Sequence, residues 1–268
     1  MNYLYYPGCS LTASAREYDL ATRATMAALG EHLTEIDGWT CCGASAAAPT
    51  SHLLALSLGA RNLALAENIM ADGQILVPCS ACYLNLKKTH DALVNNSVHR
   101  QRINEALSAV DLTAKGHVRI RHLLDVLSVD LGADRLSAGI VRSLSGLRVA
   151  PYYGCQCLRP YVEFDDPERP VSMQPLIEAT GATVFEWDMG ARCCGAALVS
   201  TRPDEGLKRV AAILKSARGA DLIVTVCPMC QMNLDAWQAN VSQAADEDLA
   251  ISVLYLPQLL GLAMGLTA

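Results

Sequence analysis

Four short runs of consecutive apolar residues predict buried β-strands. They occupy residues 2–6, 75–78, 147–153 and 222–226, and branched or aromatic side chains dominate them. Runs of this length without regular polar positions are typical of strands covered on both faces, as in a parallel sheet. The sequence therefore predicts an α/β fold with central strands in both halves of the chain.

Apolar residues at helical spacing fill much of the sequence between these strands. Residues 14–29, 51–71 and 204–217 show this spacing, and a glycine follows each of the last two segments as a stop signal. Residues 95–116 are polar and are interpreted as a surface insertion. The acidic, proline-rich loop at 163–170 has no counterpart in the first half.

The two halves of the chain follow one plan. An aromatic run ends at Gly8 and another at Gly154, and each glycine directly precedes a cysteine. A glycine there lets the backbone turn tightly and approach whatever the cysteine binds. We predict a first domain at 1–135, a linker of small residues at 136–145 and a second domain at 146–268.

Ten of the 11 cysteines repeat with the halves. Their spacing is C-x31-CC-x36-C-x2-C in the first half and C-x37-CC-x32-C-x2-C in the second. The gap between the cysteine pair and the C-x2-C motif is shorter in the second half, which predicts a shorter helix or loop between them in that half. Each C-x2-C motif follows a predicted strand and opens a predicted helix, where open α/β sheets place ligands. The repeated cysteines are Cys9, Cys41, Cys42, Cys79, Cys82, Cys155, Cys193, Cys194, Cys227 and Cys230.

The composition of the chain limits the functions that these cysteines can have. The 268-residue chain has a formal net charge of −6 and no basic run, which argues against nucleic-acid binding. The N-terminal residues lack the basic start of a signal peptide, and no apolar stretch is long enough to span a bilayer. We therefore expect a cytoplasmic protein without a transmembrane segment. Thiols stay reduced in that compartment, so patterned cysteines there bind metal or carry redox chemistry.

Each half offers five cysteines, whereas a structural zinc ion or an ordinary cubane iron–sulfur cluster needs four. Two adjacent cysteines do not easily chelate one ion, because the peptide between them strains the ring. They suit two metals of one cluster, which favours an iron–sulfur cluster in each half. Zinc in one of the two sites stays open as an alternative, and a disulfide scaffold is disfavoured.

With these motifs the chain resembles the family of heterodisulfide reductase B subunits, whose members carry two cysteine-rich CCG domains. The resemblance covers nearly the whole chain and extends to the bacterial sulfur-oxidising type of this family. The most similar segments are Tyr152-Tyr153-Gly154-Cys155-Gln156 with the following Leu158-Arg159-Pro160, then Phe164-Asp165-Asp166-Pro167 and Arg192-Cys193-Cys194-Gly195.

The resemblance implies two pseudo-symmetric halves, each a small parallel sheet flanked by helices, with the cluster sites at their interface. It also implies two non-cubane [4Fe–4S] clusters, one per half. The implied ligands are Cys9, Cys41, Cys42, Cys79 and Cys82 for one cluster, and Cys155, Cys193, Cys194, Cys227 and Cys230 for the other.

The implied function is two-electron thiol/disulfide redox chemistry in a multisubunit complex, on a heterodisulfide or a lipoate-bound sulfur substrate. No nucleotide-binding motif or flavin site is visible, so electrons pass through partners. The family suggests a flavin-bearing A subunit together with a ferredoxin-like C subunit. We predict that Cys82, Cys230 and Arg192 are catalytic. Arg192 would hold an anionic substrate or offset cluster charge, and its alternative is a structural ion pair.

Two other functions stay open. One is an electron-relay subunit of a quinone-linked succinate, lactate or glycolate oxidoreductase, and the other is a scaffold with one structural zinc site.

The apolar tail at 254–266 either contacts a membrane or closes the second half as a core helix, and its lack of basic residues favours the core helix. Cys157 lies outside the repeat and is interpreted as a buried thiol, with an extra ligand as the alternative. Tyr6 and Tyr152 are interpreted as core aromatics rather than proton relays.

Overall fold

The computed structural model describes residues 2–44 and 46–266, so the predicted domain ends at 1 and 268 lie outside the described residues. The chain divides into two compact units. One comprises Met1–Asp19 and Gly30–Leu123, and the other comprises Leu20–Leu29 and Leu124–Ala268. The linker at 136–145 stays a prediction.

The first unit is built on a sheet of four parallel strands among the described residues. Its spatial order is β2-β1-β3-β4, and the predicted strands at 2–6 and 75–78 are its inner strands. The inner strands are almost entirely buried, whereas β2 lies at the edge and is largely exposed. The strands are β1 (Asn2–Tyr5), β2 (His32–Glu35), β3 (Gln74–Val77) and β4 (Arg119–His122).

The second unit repeats this topology. Its parallel strands have the order β6-β5-β7-β8, and the predicted strands at 147–153 and 222–226 again form the centre. The strands are β5 (Arg148–Tyr152), β6 (Thr183–Val184), β7 (Leu222–Thr225) and β8 (Ser252–Tyr255). In each sheet the strand order reverses between the two inner strands, which is where open α/β sheets bind ligands.

Helices flank both sheets, so the predicted α/β class is confirmed. In chain order the first half contains α1 (Gly8–Leu11), α2 (Arg16–Ala28), α3 (Ala47–Thr50), α4 (His52–Ile69), α5 (Ser80–Asn95), α6 (Ser97–Leu107) and a 3-10 turn (Ser108–Val110). The remainder contains α7 (Leu123–Asp125), a π-helical segment (Val126–Leu131), α8 (Gly132–Ala138), α9 (Gln174–Ala179), α10 (Ala196–Val199), α11 (Pro203–Ser216), α12 (Pro228–Ala236), α13 (Gln238–Ala245) and α14 (Leu256–Ala263).

The helix before each C-x2-C motif explains the difference in cysteine spacing. Helix α4 has 18 residues and α11 has 14. The difference of four equals the difference between the gaps of 36 and 32 residues, and it is about one helical turn. The predicted shorter element in the second half is therefore a helix shortened by one turn.

Two other segments qualify the sequence predictions. The interpretation of 95–116 as a surface insertion misses α6, which packs on α4 and buries Ile103 and Leu107 at a spacing of one turn. The predicted core role of the tail is confirmed, because Leu256 and Leu259 of α14 are fully buried.

Candidate functional site: two sets of five cysteines

Both cysteine sets lie at the carboxyl ends of the inner strands. Cys9 follows β1 and Cys79 follows β3, while Cys155 and Cys227 hold the same places after β5 and β7. Cys79 and Cys227 are the N-cap residues of α5 and α12, so each C-x2-C motif opens a helix as predicted. Parallel neighbouring strands bring these distant cysteines to one edge of each sheet, at the switch point of the strand order.

In the first half the five thiols form a continuous series of contacts. The Sγ atoms of Cys9 and Cys41 are 3.9 Å apart, and those of Cys42 and Cys82 are 3.3 Å apart. Further thiol hydrogen bonds join Cys41 to Cys42 and Cys82 to Cys79. Cys42, Cys79 and Cys82 are buried, whereas Cys9 and Cys41 are exposed.

The second half repeats most of these contacts. The Sγ atoms of Cys194 and Cys230 are 3.6 Å apart, and thiol hydrogen bonds join Cys155 to Cys193 and Cys230 to Cys227. Cys194, Cys227 and Cys230 are buried, whereas Cys193 is exposed. In both halves the second cysteine of the pair and the C-x2-C motif form the inside of the site, and the first cysteine of the pair faces outward.

Glycines bring the backbone close to the buried thiols, as the sequence predicts. Gly8 and Gly154 adopt φ angles of +74° and +71°, in the left-handed region. A Cβ atom on Gly8 would lie 2.8 Å from Sγ of Cys82, and one on Gly154 would lie 2.9 Å from Sγ of Cys230. A side chain at either position would therefore displace a thiol of the site.

The glycine after each cysteine pair directs an N–H group at sulfur. Gly43 and Gly195 adopt φ angles of +78° and +75°. The N–H of Gly43 donates to Sγ of Cys41 at 3.5 Å, and that of Gly195 donates to Sγ of Cys193 at 3.4 Å. Backbone donors of this kind favour the thiolate, which is the metal-binding form of cysteine.

The contacts between thiols shift their pKa values in opposite directions. Hydrogen bonds from Cys41 and Cys82 lower the pKa of Cys42 to about 4. The hydrogen bond between Cys82 and Cys42 in turn raises the pKa of Cys82. In the second half the hydrogen bond from Cys155 lowers the pKa of Cys193 to about 5. Because a metal binds cysteine as the thiolate, a metal that bound in either site would release the remaining thiol protons.

A buried tyrosine ties each cysteine pair to its sheet. The hydroxyl of Tyr6 donates to the Thr40 carbonyl at 2.7 Å, and that of Tyr152 donates to the Arg192 carbonyl at 2.6 Å. The two acceptor residues directly precede the cysteine pairs. Burial first, and the nearby cysteines second, raise the pKa of both tyrosines far above the usual range, so both hydroxyls stay protonated donors. Their interpretation as core aromatics is confirmed.

The chain matches the family model of the cysteine-rich CCG domain over residues 3–87 and 149–235. The chain belongs to the CCG family. Each matched segment contains the two inner strands of one sheet and one set of five cysteines, so the chain carries two CCG domains.

Relatives of this CCG protein are subunits of multisubunit reductases. It is 34% identical to the 8-methylmenaquinol:fumarate reductase membrane anchor subunit of Wolinella succinogenes, over 99% of this chain and 93% of that protein. It is 31% identical to a protein of Archaeoglobus profundus that is like the heterodisulfide reductase B subunit, over 99% of this chain and 91% of that protein. It is also 31% identical to the B subunit of the ferredoxin/F(420)H(2)-dependent CoB-CoM heterodisulfide reductase of Methanosarcina acetivorans, over 97% of this chain and 88% of that protein.

The fold of the CCG protein also occurs in the crystal structure of a hypothetical protein from Helicobacter pylori. The TM-score is 0.79 at 15% sequence identity. The likeness covers 100% of this chain and 49% of that chain, so this chain spans about half its length. At this identity the comparison concerns the fold alone.

Two asparagines that the sequence analysis missed hold the CCG sites together. The Nδ2 group of Asn233 donates to the Cys194 carbonyl at 2.8 Å, and that of Asn85 donates to the Cys42 carbonyl. Each asparagine lies three residues after its C-x2-C motif, so the motif extends to C-x2-C-x2-N in both domains. The equal offset in the two halves is the signal that could have revealed them.

The predicted catalytic residues lie in different surroundings. Cys82 and Cys230 are buried within their thiol sets. The side chain of Arg192 is exposed and lines a groove of about 660 Å³ together with Trp187 and Arg169. A catalytic role for all three residues stays a prediction.

Cys157 is a buried thiol, as favoured from the sequence, and its Sγ donates to the Tyr153 carbonyl at 3.2 Å. In the described part of the chain, no group of three or more His, Cys, Asp or Glu side chains has the geometry of a site for a single metal ion, so the two thiol sets are considered only as sites for a cluster. Across residues 2–44 and 46–266, none of the helices combines the length and the apolar composition that crossing a membrane requires.

Proposed function

We propose that this CCG protein is the iron–sulfur catalytic subunit of a heterodisulfide reductase-like complex. The observation that carries the proposal is the repetition of one site, because both domains place five thiols at the switch point of a parallel sheet. The relatives named for the B subunit of heterodisulfide reductase support this choice. Each domain would hold one non-cubane [4Fe–4S] cluster.

The residues of both sites fit such a cluster. In each site thiols from distant parts of the chain come together, with Sγ–Sγ distances of 3.3 to 3.9 Å for Cys9–Cys41, Cys42–Cys82 and Cys194–Cys230. Cysteine thiolates are the usual protein ligands of iron–sulfur clusters. Five soft donors exceed the four of an ordinary cubane cluster. The proposed ligands are Cys9, Cys41, Cys42, Cys79 and Cys82 in the first domain, and Cys155, Cys193, Cys194, Cys227 and Cys230 in the second.

Two such sites suit the splitting of a disulfide. When bound, each cluster supplies a one-electron centre with iron that accepts sulfur. Reduction of R–S–S–R′ consumes two electrons and breaks one S–S bond to give two thiolates, and the electrons come from a redox partner. In this reaction the chain's own residues hold the site. The asparagine and tyrosine hydrogen bonds fix the cysteine pairs, and the buried C-x2-C motifs exclude water from one side.

Substrate and partners follow from the same proposal. The substrate class is a heterodisulfide or a lipoate-bound sulfur compound, the latter as in the bacterial sulfur-oxidising type. Arg192 would offer a cation to an anionic substrate beside Cys193, since its side chain lines an open groove. A flavin-bearing A subunit together with a ferredoxin-like C subunit would carry the electrons.

The test is metal analysis followed by turnover. We expect protein purified without oxygen to contain about eight irons and eight sulfides per chain, with EPR signals that change when thiol or disulfide is added. Cys82→Ser and Cys230→Ser should abolish disulfide turnover, while Cys157→Ser keeps it. About four irons, or one zinc, in the wild type would mean that one site is structural. Turnover in a variant that has lost one cluster would contradict the two-cluster mechanism.

A second candidate function is electron relay in a quinone-linked oxidoreductase. The relative at 34% identity, an 8-methylmenaquinol:fumarate reductase membrane anchor subunit, favours it. In that case a menaquinol analogue would reduce the iron of the purified complex, and no disulfide would be turned over. The apolar tail offers little to a membrane, because α14 directs most of its apolar residues into the core.

A further inference from the structure

The second CCG domain contains a loop at residues 163–172 that includes the acidic, proline-rich segment without a counterpart in the first half. Two carboxylates order this loop from within. Asp165 accepts the N–H groups of Val171 and Ser172 at 2.8 to 3.0 Å, and Asp166 accepts two further N–H groups of the loop at 2.7 and 2.8 Å. The loop is therefore a preformed piece of structure.

This loop lines the groove beside the second cysteine pair. Residues 168–171 of the loop line it, and so do residues 190–192, which directly precede Cys193. The groove has a volume of about 660 Å³ and follows β6. In the first domain the cavity that follows β2 is lined by residues 35–39 and has only about 270 Å³. The larger groove thus belongs to the domain that carries the loop.

The side chain of Arg159 joins the two segments that line the groove. One terminal nitrogen of its guanidinium donates to Oε1 of Glu168 in the loop at 2.8 Å, and the other donates to the carbonyl of Ala191. Ala191 is buried and lies two residues before Cys193. The backbone N–H of Arg159 donates to the Cys155 carbonyl at 3.0 Å, which fixes the arginine in the turn after that cysteine. Because the guanidinium is planar and rigid, its two bonds set the separation of the two segments.

Tyr153, directly after β5, holds the same two segments at another place. Its hydroxyl accepts the N–H of Met173 at 3.0 Å just after the loop, and its own N–H donates to the Gly190 carbonyl at 2.9 Å. Glu168 lies in the middle of the loop, so Arg159 holds a part of the loop away from this end. The side chain of Glu168 is 67% exposed, so the ion pair adds little stability and acts mainly on geometry.

The first domain uses an arginine differently. The guanidinium of Arg61 on α4 donates to the Gly38 carbonyl at 2.7 Å and to the Thr40 hydroxyl at 3.5 Å, so it also holds the segment before a cysteine pair. The residue four places after Cys9, where the second domain has Arg159, is Ala13. Both domains therefore fix this segment with a guanidinium, and the guanidinium of the second domain holds a loop as well.

We propose that Arg159 is a positioning residue that fixes the width of the groove beside the second cysteine pair. The inference rests on the proposed function, in which Arg192 holds the disulfide substrate in this groove. Arg159 keeps residues 168–171 at a set separation from residues 190–192, so the groove has its binding shape before the substrate arrives. A preformed site binds more tightly, because no loop has to be ordered on binding.

The first measurement is amide hydrogen exchange on the anaerobically purified protein, because it reports on the loop independently of turnover. Arg159→Met should accelerate exchange at residues 168–172 and leave residues 39–43 of the first domain unchanged. Arg159→Lys keeps the charge but replaces the planar fork by a single ammonium group, so it should restore protection only in part. Lys208→Met is the matched control, since it removes a cation from another exposed ion pair of the same domain, with Glu205 at 3.0 Å.

The second measurement is steady-state turnover of lipoate, used as the disulfide probe, by the cluster-loaded complex. Arg159→Met should raise KM roughly tenfold with little change in kcat, because the groove contributes to binding of the substrate and not to electron transfer. The iron content of this variant should equal that of the wild type. Lys208→Met should change neither KM nor the exchange rates.

Three results would overturn this inference and leave the proposed function intact. They are unchanged exchange at residues 168–172 in Arg159→Met, an unchanged KM in that variant, and a loss of iron from it, which would mean that Arg159 supports the cluster instead of the groove. A wild-type protein that contains no iron or turns over no disulfide would overturn the proposed function, and the role of Arg159 in substrate binding with it.

Discussion

The carbonyl oxygen of Cys194 is buried beside its thiol and accepts the amide of Asn233 at 2.8 Å. This single bond joins α12, which carries the C-x2-C motif, to the cysteine pair. Both cysteine segments must keep their positions if the five thiols are to face one cluster. The asparagine therefore supports the geometry of the thiol site.

We predict that Asn233→Ala destabilises the second domain by about 1–3 kcal/mol, because it leaves a buried carbonyl without its donor. Urea unfolding of the reduced apoprotein measures the loss, and the iron content of the loaded protein should fall as the pair loosens. Asn240→Ala on α13 is the control, since that side chain is exposed. Equal stability of the two variants would show that the Asn233 bond contributes nothing.

At the residue scale, the spacing of the cysteines along the sequence predicted all ten clustered cysteines. It did not predict the residues whose hydrogen bonds hold them in place. Cysteines are rare, and five of them at matching positions in both halves form a strong pattern. A single buried amide such as Asn233 has no periodicity of its own.

At the scale of elements, the additional turn of α4 holds a neighbouring loop in place. Glu67 lies in its last turn, and its carboxylate accepts backbone N–H groups from Lys115, Gly116 and His117 at 2.7 to 2.8 Å. These residues form the loop that leads from α6 to β4. The longer helix therefore anchors the end of segment 95–116, which was interpreted from the sequence as a surface insertion.

We predict that Glu67→Ala costs the first domain about 1–3 kcal/mol of unfolding free energy, since three donors lose one charged acceptor. Glu67→Gln should cost less, because it keeps an oxygen. Amide hydrogen exchange at residues 115–117 should accelerate in both variants. Glu105→Ala is the control, because that exposed carboxylate accepts only a side-chain amide at 2.8 Å among the described contacts. Unchanged exchange at 115–117 in Glu67→Ala would contradict the anchoring role.

The elements that the sequence predicted best are those with continuous apolar runs, such as β3 and β7 at the sheet centres. None of the four edge strands was predicted. The strands β2 and β6 are largely exposed, so their sequences carry little apolar signal. The strands β4 and β8 are largely buried but only four residues long. Helix α6 was missed for a related reason, since only Ile103 and Leu107 are buried along its length. Tertiary contacts with α4 and α5 decide its structure.

At the scale of the whole molecule, duplication is the main organising feature. Both sheets have the same strand order, and both place the same five thiols at the reversal of that order. The equivalence of the halves was predictable from the cysteines, whereas the strand order was not. Strand order depends on crossover connections, and local sequence patterns do not specify them. Each CCG domain thus contains five clustered thiols of its own.

From that separation we predict that the two clusters assemble independently. Cys9→Ala and Cys155→Ala each remove one ligand from one domain, so each variant should retain about four of roughly eight irons. The EPR signals that remain in the two variants should differ and should add up to the wild-type spectrum. Cys157→Ala should keep all the iron, because Cys157 lies outside the repeated cysteine pattern and its thiol donates to the Tyr153 carbonyl. Loss of all iron from either ligand variant would mean that one site requires the other for assembly.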